Sequence, residues 1–264
     1  MSRIGYDNAS GELAEQIEMQ ELRDWGRKVK DKKKIENEIF DREVLKVLAS
    51  LMNKKIIKQM EFPISKGKEA YVFRAQGGEN AEDPLLAVKI YMIETSRFKN
   101  MFEYIQGDPR FVGVKREKKD IVYAWTRKEY RNLKLCSEAK VHVPTPHYFQ
   151  NNVLVIQFIG DEDIPAPQLN EVGPPDPKKN FRQLVRDMRK MYRAGLVHAD
   201  LSPFNILVWG GELFIIDVGQ GVALEHPMAE SFLERDVYNV TKYFNKFGVK
   251  ADKEKILKEI KGIK

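Results

Sequence analysis

The chain has 264 residues, of which 42% are hydrophobic, and its 45 Lys and Arg against 39 Asp and Glu give a net charge of +6. This length suffices for one large domain or two small lobes. No apolar run of about 18 residues occurs, so neither a membrane-spanning helix nor a membrane partner is expected, and the polar N-terminus predicts no secretory signal. The single cysteine, Cys136, excludes an intrachain disulfide and a cysteine metal cluster and favours a reducing, cytoplasmic location.

Residues 1–59 are predicted to form an N-terminal helical extension. Within it, the segment 27–34 consists mainly of Lys and Arg and is either a solvated helix face or a frayed basic arm. From Ile35 to Ile57, apolar residues recur at roughly helical spacing, which indicates a helix.

Residues 60–159 are predicted to form a first lobe of short strands and one helix. Three segments rich in β-forming residues are the predicted strands: Ala70–Ala75, Leu85–Tyr91 and Val153–Ile159. A helical pattern covers Val122–Ala139, and the basic stretch at about 93–120 is interpreted as a flexible insert. These elements predict a small, mostly antiparallel sheet with one helix.

Residues 160–264 are predicted to form a hinge and a second lobe. The segment 160–177 holds five prolines and is predicted to contain no regular element. A helical pattern at about 178–193 precedes a β-hairpin whose two-residue turn is Gly210–Gly211. Two further helical patterns close the chain, at about 228–246 and 251–262. The fold class is therefore α+β.

Two motifs flank this hairpin: His198–Asn205, HADLSPFN, and Ile215–Gly219, IIDVG. Phosphoryl transfer needs a carboxylate that orients the attacking group and oxygen ligands that hold Mg²⁺ against the phosphates. Asp200, Asn205 and Asp217 supply these groups, at a spacing similar to that of the kinase motifs H-R-D-x-x-x-x-N and D-F-G. The alternative is that these residues only cap turns and end a strand, but their combination around a hairpin favours catalysis.

Lys89, in the segment A-V-K-I, is similar to the strand lysine of kinases that pairs with the ATP phosphates. Such a lysine needs a helix carboxylate to hold it. Glu129 lies in the predicted helix among spaced apolar residues and is favoured over Glu117, which lies in the charged insert.

The segment Ile64–Ala70, ISKGKEA, is the candidate phosphate-covering loop. It has one glycine where kinases carry G-x-G-x-x-G, so an ordinary hairpin turn is the alternative. Its chemistry suits phosphate, because it offers a hydroxyl, two ammonium groups and a glycine backbone that allows close approach: Ser65, Lys66, Lys68 and Gly67.

Several segments together resemble the RIO family of atypical serine/threonine protein kinases, and within it the first subfamily in its compact archaeal form. The resemblance runs from about Glu61 to Gly248 and is carried by SKGKEAYVF, AVKIY, ETSRFKNM, GDPRF, KEYRNL, HADLSPFNIL, IIDVGQ and HPMAESFLERDV. It implies a two-lobed minimal protein-kinase-like fold. The N-lobe would hold an antiparallel sheet and one helix, and the C-lobe would be reduced and helical, without an activation segment.

The resemblance also implies ATP and Mg²⁺, with Mn²⁺ as an alternative metal, in a cleft between the lobes. Asp200 would be the catalytic base, and Asn205 and Asp217 would bind the metal. In this family the metal-binding aspartate can itself accept phosphate, so the matching Asp217 would form an acyl phosphate in a slow ATPase cycle.

By the same resemblance, the strand that enters the hinge would bind the adenine ring. Backbone groups of Gln157 and Ile159 would form its hydrogen bonds, and the Ile156 side chain would close the back of the pocket.

Two positions depart from ordinary kinases. Ala199 replaces the arginine of H-R-D, which predicts that no phosphorylated activation loop acts as a switch. Ser202 stands where protein kinases keep a lysine, which predicts another cation at the γ-phosphate or a slower rate.

The insert at 93–120 interleaves basic and aromatic residues, which suits RNA, although a mobile solvated loop is the equal alternative. The resemblance implies maturation of the small ribosomal subunit, with the pre-ribosomal particle and its RNA as partners. Ser96 is the candidate site of self-phosphorylation.

The sequence is also compatible with two other functions. The first is a small-molecule kinase of the aminoglycoside or choline type, which shares the H-x-D-x-x-x-x-N loop. The second is an RNA-binding module that uses ATP only as a conformational ligand.

Overall fold

A computed structural model describes residues 40–94, 98–111, 113–162 and 164–263. Residues 1–39 of the predicted extension, which include the basic run 27–34 and the start of the helix predicted from Ile35, lie outside the described residues, as does Ser96. Among the described helices, none is long and apolar enough to cross a membrane.

The first lobe is an antiparallel sheet with strand order β1-β2-β3-β5-β4, covered by helices on both faces. Its elements are, in chain order, α1 (Arg42–Asn53), β1 (Ile57–Lys66), β2 (Ala70–Gly77), β3 (Leu85–Tyr91), α2 (Phe98–Gln106), a 3-10 turn (Pro109–Phe111), α3 (Lys118–Glu138), β4 (Pro146–Gln150) and β5 (Val153–Gln157).

Strand β3 explains why the two faces are both covered. Its Val88 and Ile90 pack in one cluster with Val44 and Leu48 of α1. Its Lys89 and Tyr91 point to the opposite face, where α3 lies. Every residue of β3 after the first is buried, as expected for a central strand that is covered on both faces. Lys89 is the one charged residue in this strand, and it is therefore a buried charge.

The second lobe is mainly helical. Its elements are α4 (Leu169–Val172), α5 (Pro177–Arg193), β6 (Leu196–Val197), a 3-10 turn (Pro203–Asn205), β7 (Ile206–Trp209), β8 (Glu212–Ile215), a 3-10 turn (Val218–Gln220), β9 (Val222–Ala223), α6 (Ala229–Asn245) and α7 (Lys253–Lys261). The predicted hairpin is confirmed as β7–β8, with both turn glycines, Gly210 and Gly211, at positive φ (58° and 78°) as a type I′ turn requires.

The structure differs from the sequence analysis in the insert and in the hinge segment. The insert contains α2, in which Met101 and Ile105 are buried, and α3 begins at Lys118. The expectation of no regular element in 160–177 is wrong over Leu169–Val172, because a capping box with Gln168 and Glu171 closes one helical turn there. The sheet also starts at Ile57, inside the segment assigned to the extension.

The two-lobed α+β architecture is confirmed. After the turn at Val218–Gln220, β9 follows at once and α6 begins at Ala229. The described chain therefore leaves no room at this point for an activation segment.

Candidate active site

The loop His198–Asn205 is held by helix α6. The Asp236 carboxylate accepts hydrogen bonds from the Ala199 amide (2.8 Å) and the Leu201 amide (2.9 Å), and Arg235 donates to the Ala199 carbonyl. Burial raises the pKa of Asp236 to about 7, and the two amide donors act against that rise. The sequence left two interpretations of Asp236 open, an anchor of this loop or an exposed helix-face carboxylate, and in the structure the buried Asp236 anchors the loop.

His198 orients the start of this loop and is not placed to act as a base. Its Nε2 lies 3.1 Å from the Ile216 carbonyl, and its Nδ1 lies 3.3 Å from the Asp200 amide, which donates to it. Burial lowers the pKa of His198, although its bond to Ile216 and the nearby Asp200 and Asp217 raise it. The neutral ring therefore fits both contacts.

Asp200 is oriented by two side-chain amides. The Asn205 Nδ2 donates to the Asp200 carbonyl (2.8 Å) and lies 3.3 Å from the Asp200 Oδ2, and the Gln220 Nε2 donates to the same Oδ2 (3.1 Å). Both donors are neutral, so they position the carboxylate without cancelling its charge.

Asp217 has a left-handed backbone (φ 57°, ψ 46°) between β8 and the following 3-10 turn. Only glycine adopts this conformation without cost, so the surrounding contacts must hold Asp217 in it. Its side chain is half exposed and forms an ion pair with the Lys89 ammonium. Attraction to Lys89, opposed by burial, lowers the pKa of Asp217, which keeps the carboxylate ionised.

Lys89 joins the two lobes. Its Nζ lies 2.9 Å and 3.1 Å from the two carboxylate oxygens of Glu129 on α3, and it also contacts Asp217 of the second lobe. Burial by itself would lower the pKa of Lys89, but attraction to the two carboxylates outweighs this effect. The net pKa lies above its ordinary value, so the ammonium stays charged. Tyr91 donates its hydroxyl to Glu129. Glu117, the competing candidate, is the exposed N-cap residue of α3.

Two adjoining cavities meet at Lys89 and Asp217. The larger, of about 720 Å³, is lined by Ser65, Gly67, Lys68, Glu69, Ala70, Val72, Lys89, Tyr91, Trp125, Asp200, Phe204, Asn205, Asp217, Gly219 and Gln220. The smaller, of about 460 Å³, is more apolar, and its lining includes Ile64, Val72, Ala87, Leu133, Ile156, Leu207 and Ile216. A polar chamber beside an apolar one suits a ligand with a charged end and a flat apolar end.

The phosphate-loop candidates separate into two groups. Ser65, Gly67 and Lys68 line the larger cavity, and the Gly67 amide donates to the Ala70 carbonyl (2.9 Å), so the segment is also the hairpin turn of the alternative interpretation. Lys66 lines neither cavity. Its ammonium lies 5.3 Å from the centre of the Tyr71 ring, because successive side chains of a strand point to opposite faces. The geometry therefore does not support the prediction for Lys66.

The three hinge residues line the smaller cavity. The Gln157 amide donates to the Thr145 carbonyl (2.8 Å), and the Ile159 carbonyl accepts from the Ala166 amide (3.0 Å). These two bonds do not use the Gln157 carbonyl or the Ile159 amide. Ile156 pairs with Ala87 across the sheet at the back of this cavity.

The donor set at the cleft fits Mg²⁺. No group of three or more His, Cys, Asp or Glu suited to a metal occurs within the described parts of the chain. Asn205 and Asp217 offer one carboxamide and one carboxylate at the larger cavity. Mg²⁺ keeps several waters and takes phosphate oxygens, so two protein ligands suffice for it, whereas zinc takes three or four nitrogen or sulfur ligands.

The sequence analysis gave no role to several residues of the larger cavity, among them Tyr91, Trp125 and Gln220. Tyr91 lies two residues after Lys89 in β3 and Trp125 lies one helical turn before Glu129 in α3, so strand and helix periodicity carried a signal for both. Gln220 had no such signal, because its position depends on how the 3-10 turn is packed.

Comparison with known proteins gives consistent results. A family profile described as the RIO domain matches residues 71–256. The chain is 41% identical over 232 residues to the RIO-type serine/threonine-protein kinase Rio1 of Haloferax volcanii, covering 88% of this chain and 79% of that protein. It is 38% identical to the Rio1 kinase of Methanocaldococcus jannaschii over 258 residues, covering 95% and 87%.

The fold resembles that of solved kinases. The Rio2 kinase from Chaetomium thermophilum, crystallised as an ADP/Mg²⁺-phosphoaspartate complex, superposes with a TM-score of 0.60 at 20% identity. That likeness covers 81% of this chain but only 65% of the Rio2 chain, so Rio2 contains further structure. At this level of identity the likeness concerns the fold, and it confirms the minimal kinase-like architecture.

Proposed function

The chain belongs to the RIO family of atypical serine/threonine protein kinases, and from this membership we propose that it uses ATP and Mg²⁺ in the cleft between its lobes. The adenine would occupy the apolar cavity and the phosphates the polar one. The observation that carries this proposal is the position of the Lys89 ammonium, which contacts Glu129 of one lobe and Asp217 of the other at the junction of the two cavities.

Each side chain has a separate role in this proposal. Asp200, oriented by Asn205 and Gln220, accepts the proton of the attacking hydroxyl. Lys89 is held by Glu129 and donates to the phosphates. Asn205 and Asp217 would hold Mg²⁺, whose charge would neutralise the β- and γ-phosphates.

Turnover of ATP labelled at the γ-phosphate tests the assignment. Wild-type protein is expected to release or transfer label in the presence of Mg²⁺, with Mn²⁺ as a second metal, and Asp200→Ala and Asp217→Ala are each expected to abolish it. Glu212→Gln is the matched control, because Glu212 pairs with Lys179 at the surface and lines neither cavity. Undiminished turnover in either cleft variant would overturn the assignment.

We further propose that Asp217 is transiently phosphorylated. One of its carboxylate oxygens would attack the γ-phosphorus, the bond to the bridging oxygen would break, and ADP would leave; water would then hydrolyse the acyl phosphate. The half-exposed, ionised Asp217 at the polar cavity supports this step, as does the phosphoaspartate of the Rio2 crystal. Label on Asp217 should be released by base or hydroxylamine, whereas label on a serine such as Ser96 should resist hydroxylamine.

Maturation of the small ribosomal subunit is also part of the proposal, with RNA bound by the insert. The described side chains indicate which residues of the insert are exposed and could contact RNA. Phe111 is buried, with Arg127 and Arg131 over its ring, and Tyr104 packs against Trp125. These two aromatics are therefore engaged within the protein, while the exposed cations can meet RNA phosphates: Lys115, Arg116, Lys118 and Lys119.

The salt dependence of RNA binding tests this interface. Charge reversal at Lys115 and Lys119 is expected to weaken binding and to reduce the slope of log affinity against log salt by roughly 0.7 for each RNA phosphate that is no longer neutralised. Lys258→Glu, on the exposed side of α7, is the control. An unchanged slope would show that the insert does not contact the RNA phosphates.

The matched relatives are serine/threonine-protein kinases, and no contact in the described structure favours a small-molecule kinase instead. A purely ATP-gated RNA-binding module would be indicated if RNA binding and nucleotide binding persisted while the wild-type protein showed no turnover.

A further inference from the structure

Helix α3 meets the turn that follows Asp217 through a second pair of polar residues, Lys128 and Asn132. The Lys128 side chain is 0% exposed, and its Nζ donates to the Gly219 carbonyl (2.8 Å) and to the Gly221 carbonyl. One turn further along the helix, the Asn132 Nδ2 lies 2.8 Å from the Val218 carbonyl and 3.0 Å from the Gly221 carbonyl.

A buried lysine is costly, so its presence needs a reason. Burial lowers the pKa of Lys128 to about 7, with Asp108 acting against that fall and Arg110 adding to it. A methionine would fill similar space without this cost. The difference is that an ammonium has three donors, and the carbonyls of Gly219 and Gly221 use two of them.

The turn lies directly against the helix. A Cβ added to Gly219 would come within 2.9 Å of the Trp125 Nε1, and one added to Gly221 would come within 3.0 Å of the Asn132 Nδ2. Trp125, Lys128 and Asn132 share one face of α3, at the i, i+3, i+7 spacing of neighbouring turns. Glu129, on the adjacent face, holds Lys89.

We propose that Lys128 and Asn132 are positioning residues that place the Asp217 carboxylate for the metal, an inference that rests on the proposed function. Helix α3 then fixes both partners of Lys89: Glu129 directly, and Asp217 through the carbonyls of the turn. The left-handed backbone of Asp217 is a conformation that needs such support.

The test compares Lys128→Met and Asn132→Ser with wild-type protein. ADP affinity is measured by titration calorimetry with and without Mg²⁺, and kcat and KM for ATP are measured in parallel. We expect ADP affinity without metal to stay within about twofold. The gain in affinity on adding Mg²⁺ and the value of kcat should each fall about 10- to 100-fold, as when the support of a metal ligand is removed.

Lys134→Met, an exposed lysine of the same helix, is the control and should match the wild type. A lower Tm with the full Mg²⁺ dependence retained would mean that the two residues only stabilise the fold, which would overturn the inference. If Lys128→Met does not fold, Asn132→Ser decides the question by the same measurements. Failure of the wild-type protein itself to bind ADP with Mg²⁺ would instead reject the proposed function.

Discussion

At the scale of single residues, Lys89 is a buried charge held between two carboxylates. Its side chain is 11% exposed and bonds carboxylates from both lobes, and the Tyr91 hydroxyl supports one of them. Removing one member of a buried ion pair leaves an uncompensated charge, which costs about 3–5 kcal/mol in general.

Lys89→Met is therefore expected to lose both stability and catalysis. The free energy of unfolding should fall by about 3 kcal/mol or somewhat less, because Asp217 is half exposed and can be solvated. The value of kcat/KM for ATP should fall by about 100-fold or more, as for loss of an electrostatic donor. Denaturant titration and ATP turnover measure these effects. A variant with wild-type kcat/KM would show that Lys89 does not contact the phosphates.

His198 predicts a pH dependence of stability. Its pKa is lowered in the folded state from the usual 6.5, with burial as the largest cause. Below a pH of about 6.5, His198 takes up a proton in the unfolded chain but not in the folded chain. The contribution of His198 to the free energy of unfolding is therefore present above that pH and is lost as the pH falls. His198→Gln should show a shallower loss between pH 7 and 5 in denaturant titrations. An identical slope in both proteins would contradict the buried, neutral assignment.

The residue scale also shows what the sequence could predict of the site. Lys89, Asp200, Asn205 and Asp217 were predicted because the segments around them are similar to kinase motifs, and Glu129 because it lies among spaced apolar residues of a predicted helix. The structure brings all five to the cleft. Support from Lys128 and Asn132 depends on which face of α3 meets a distant turn, and the spacing of residues along the chain does not contain that information.

At the scale of elements, helix α6 holds the catalytic loop through Asp236. In the Asp236→Asn variant the carboxamide oxygen can still accept from one of the two backbone amides, Ala199 or Leu201. Its NH₂ group would face the other amide, and two donors cannot form a hydrogen bond. We expect the variant to lose about 1–3 kcal/mol of stability, the cost of an unsatisfied buried donor, and to lower kcat more than KM. Thermal unfolding and steady-state kinetics measure both. Asp252→Asn, at the exposed N-cap of α7, is the comparison for a carboxylate away from the loop.

The two strands of the five-stranded sheet that the sequence analysis missed share a physical cause. Strands β1 and β4 are the two edges of the sheet, and each contains a proline, Pro63 and Pro146. Edge strands tolerate proline and bury less surface, so their hydrophobic pattern is weak. The central strands β2, β3 and β5 are mostly buried and were predicted, with β3 at the observed bounds.

At the scale of the whole molecule, the nucleotide should act as a link between lobes that already meet at Lys89. A ligand that binds only the folded state stabilises it by about 2.7 kcal/mol at a hundredfold excess over its Kd, or roughly 5–10 °C in Tm for a chain of this size. ADP with Mg²⁺ should therefore raise the Tm of the wild-type protein. Asp217→Asn should keep the increment due to ADP alone and lose the increment due to Mg²⁺.

EDTA serves as the control in that experiment, because it should reduce the wild-type increment in Tm to the increment due to ADP alone, which the Asp217→Asn variant is expected to keep. A metal-dependent increment that survived in the variant would show that the ion is bound elsewhere.

The most direct test of the account is a crystal structure with ADP or an unreactive ATP analogue and Mn²⁺, with the ion located by its anomalous scattering. We predict one strong peak between the Asn205 carboxamide oxygen and the Asp217 carboxylate, in contact with the terminal phosphates and facing Asp200. A structure in which these side chains point apart, with no ion between them and the nucleotide bound outside the cleft, would contradict the account.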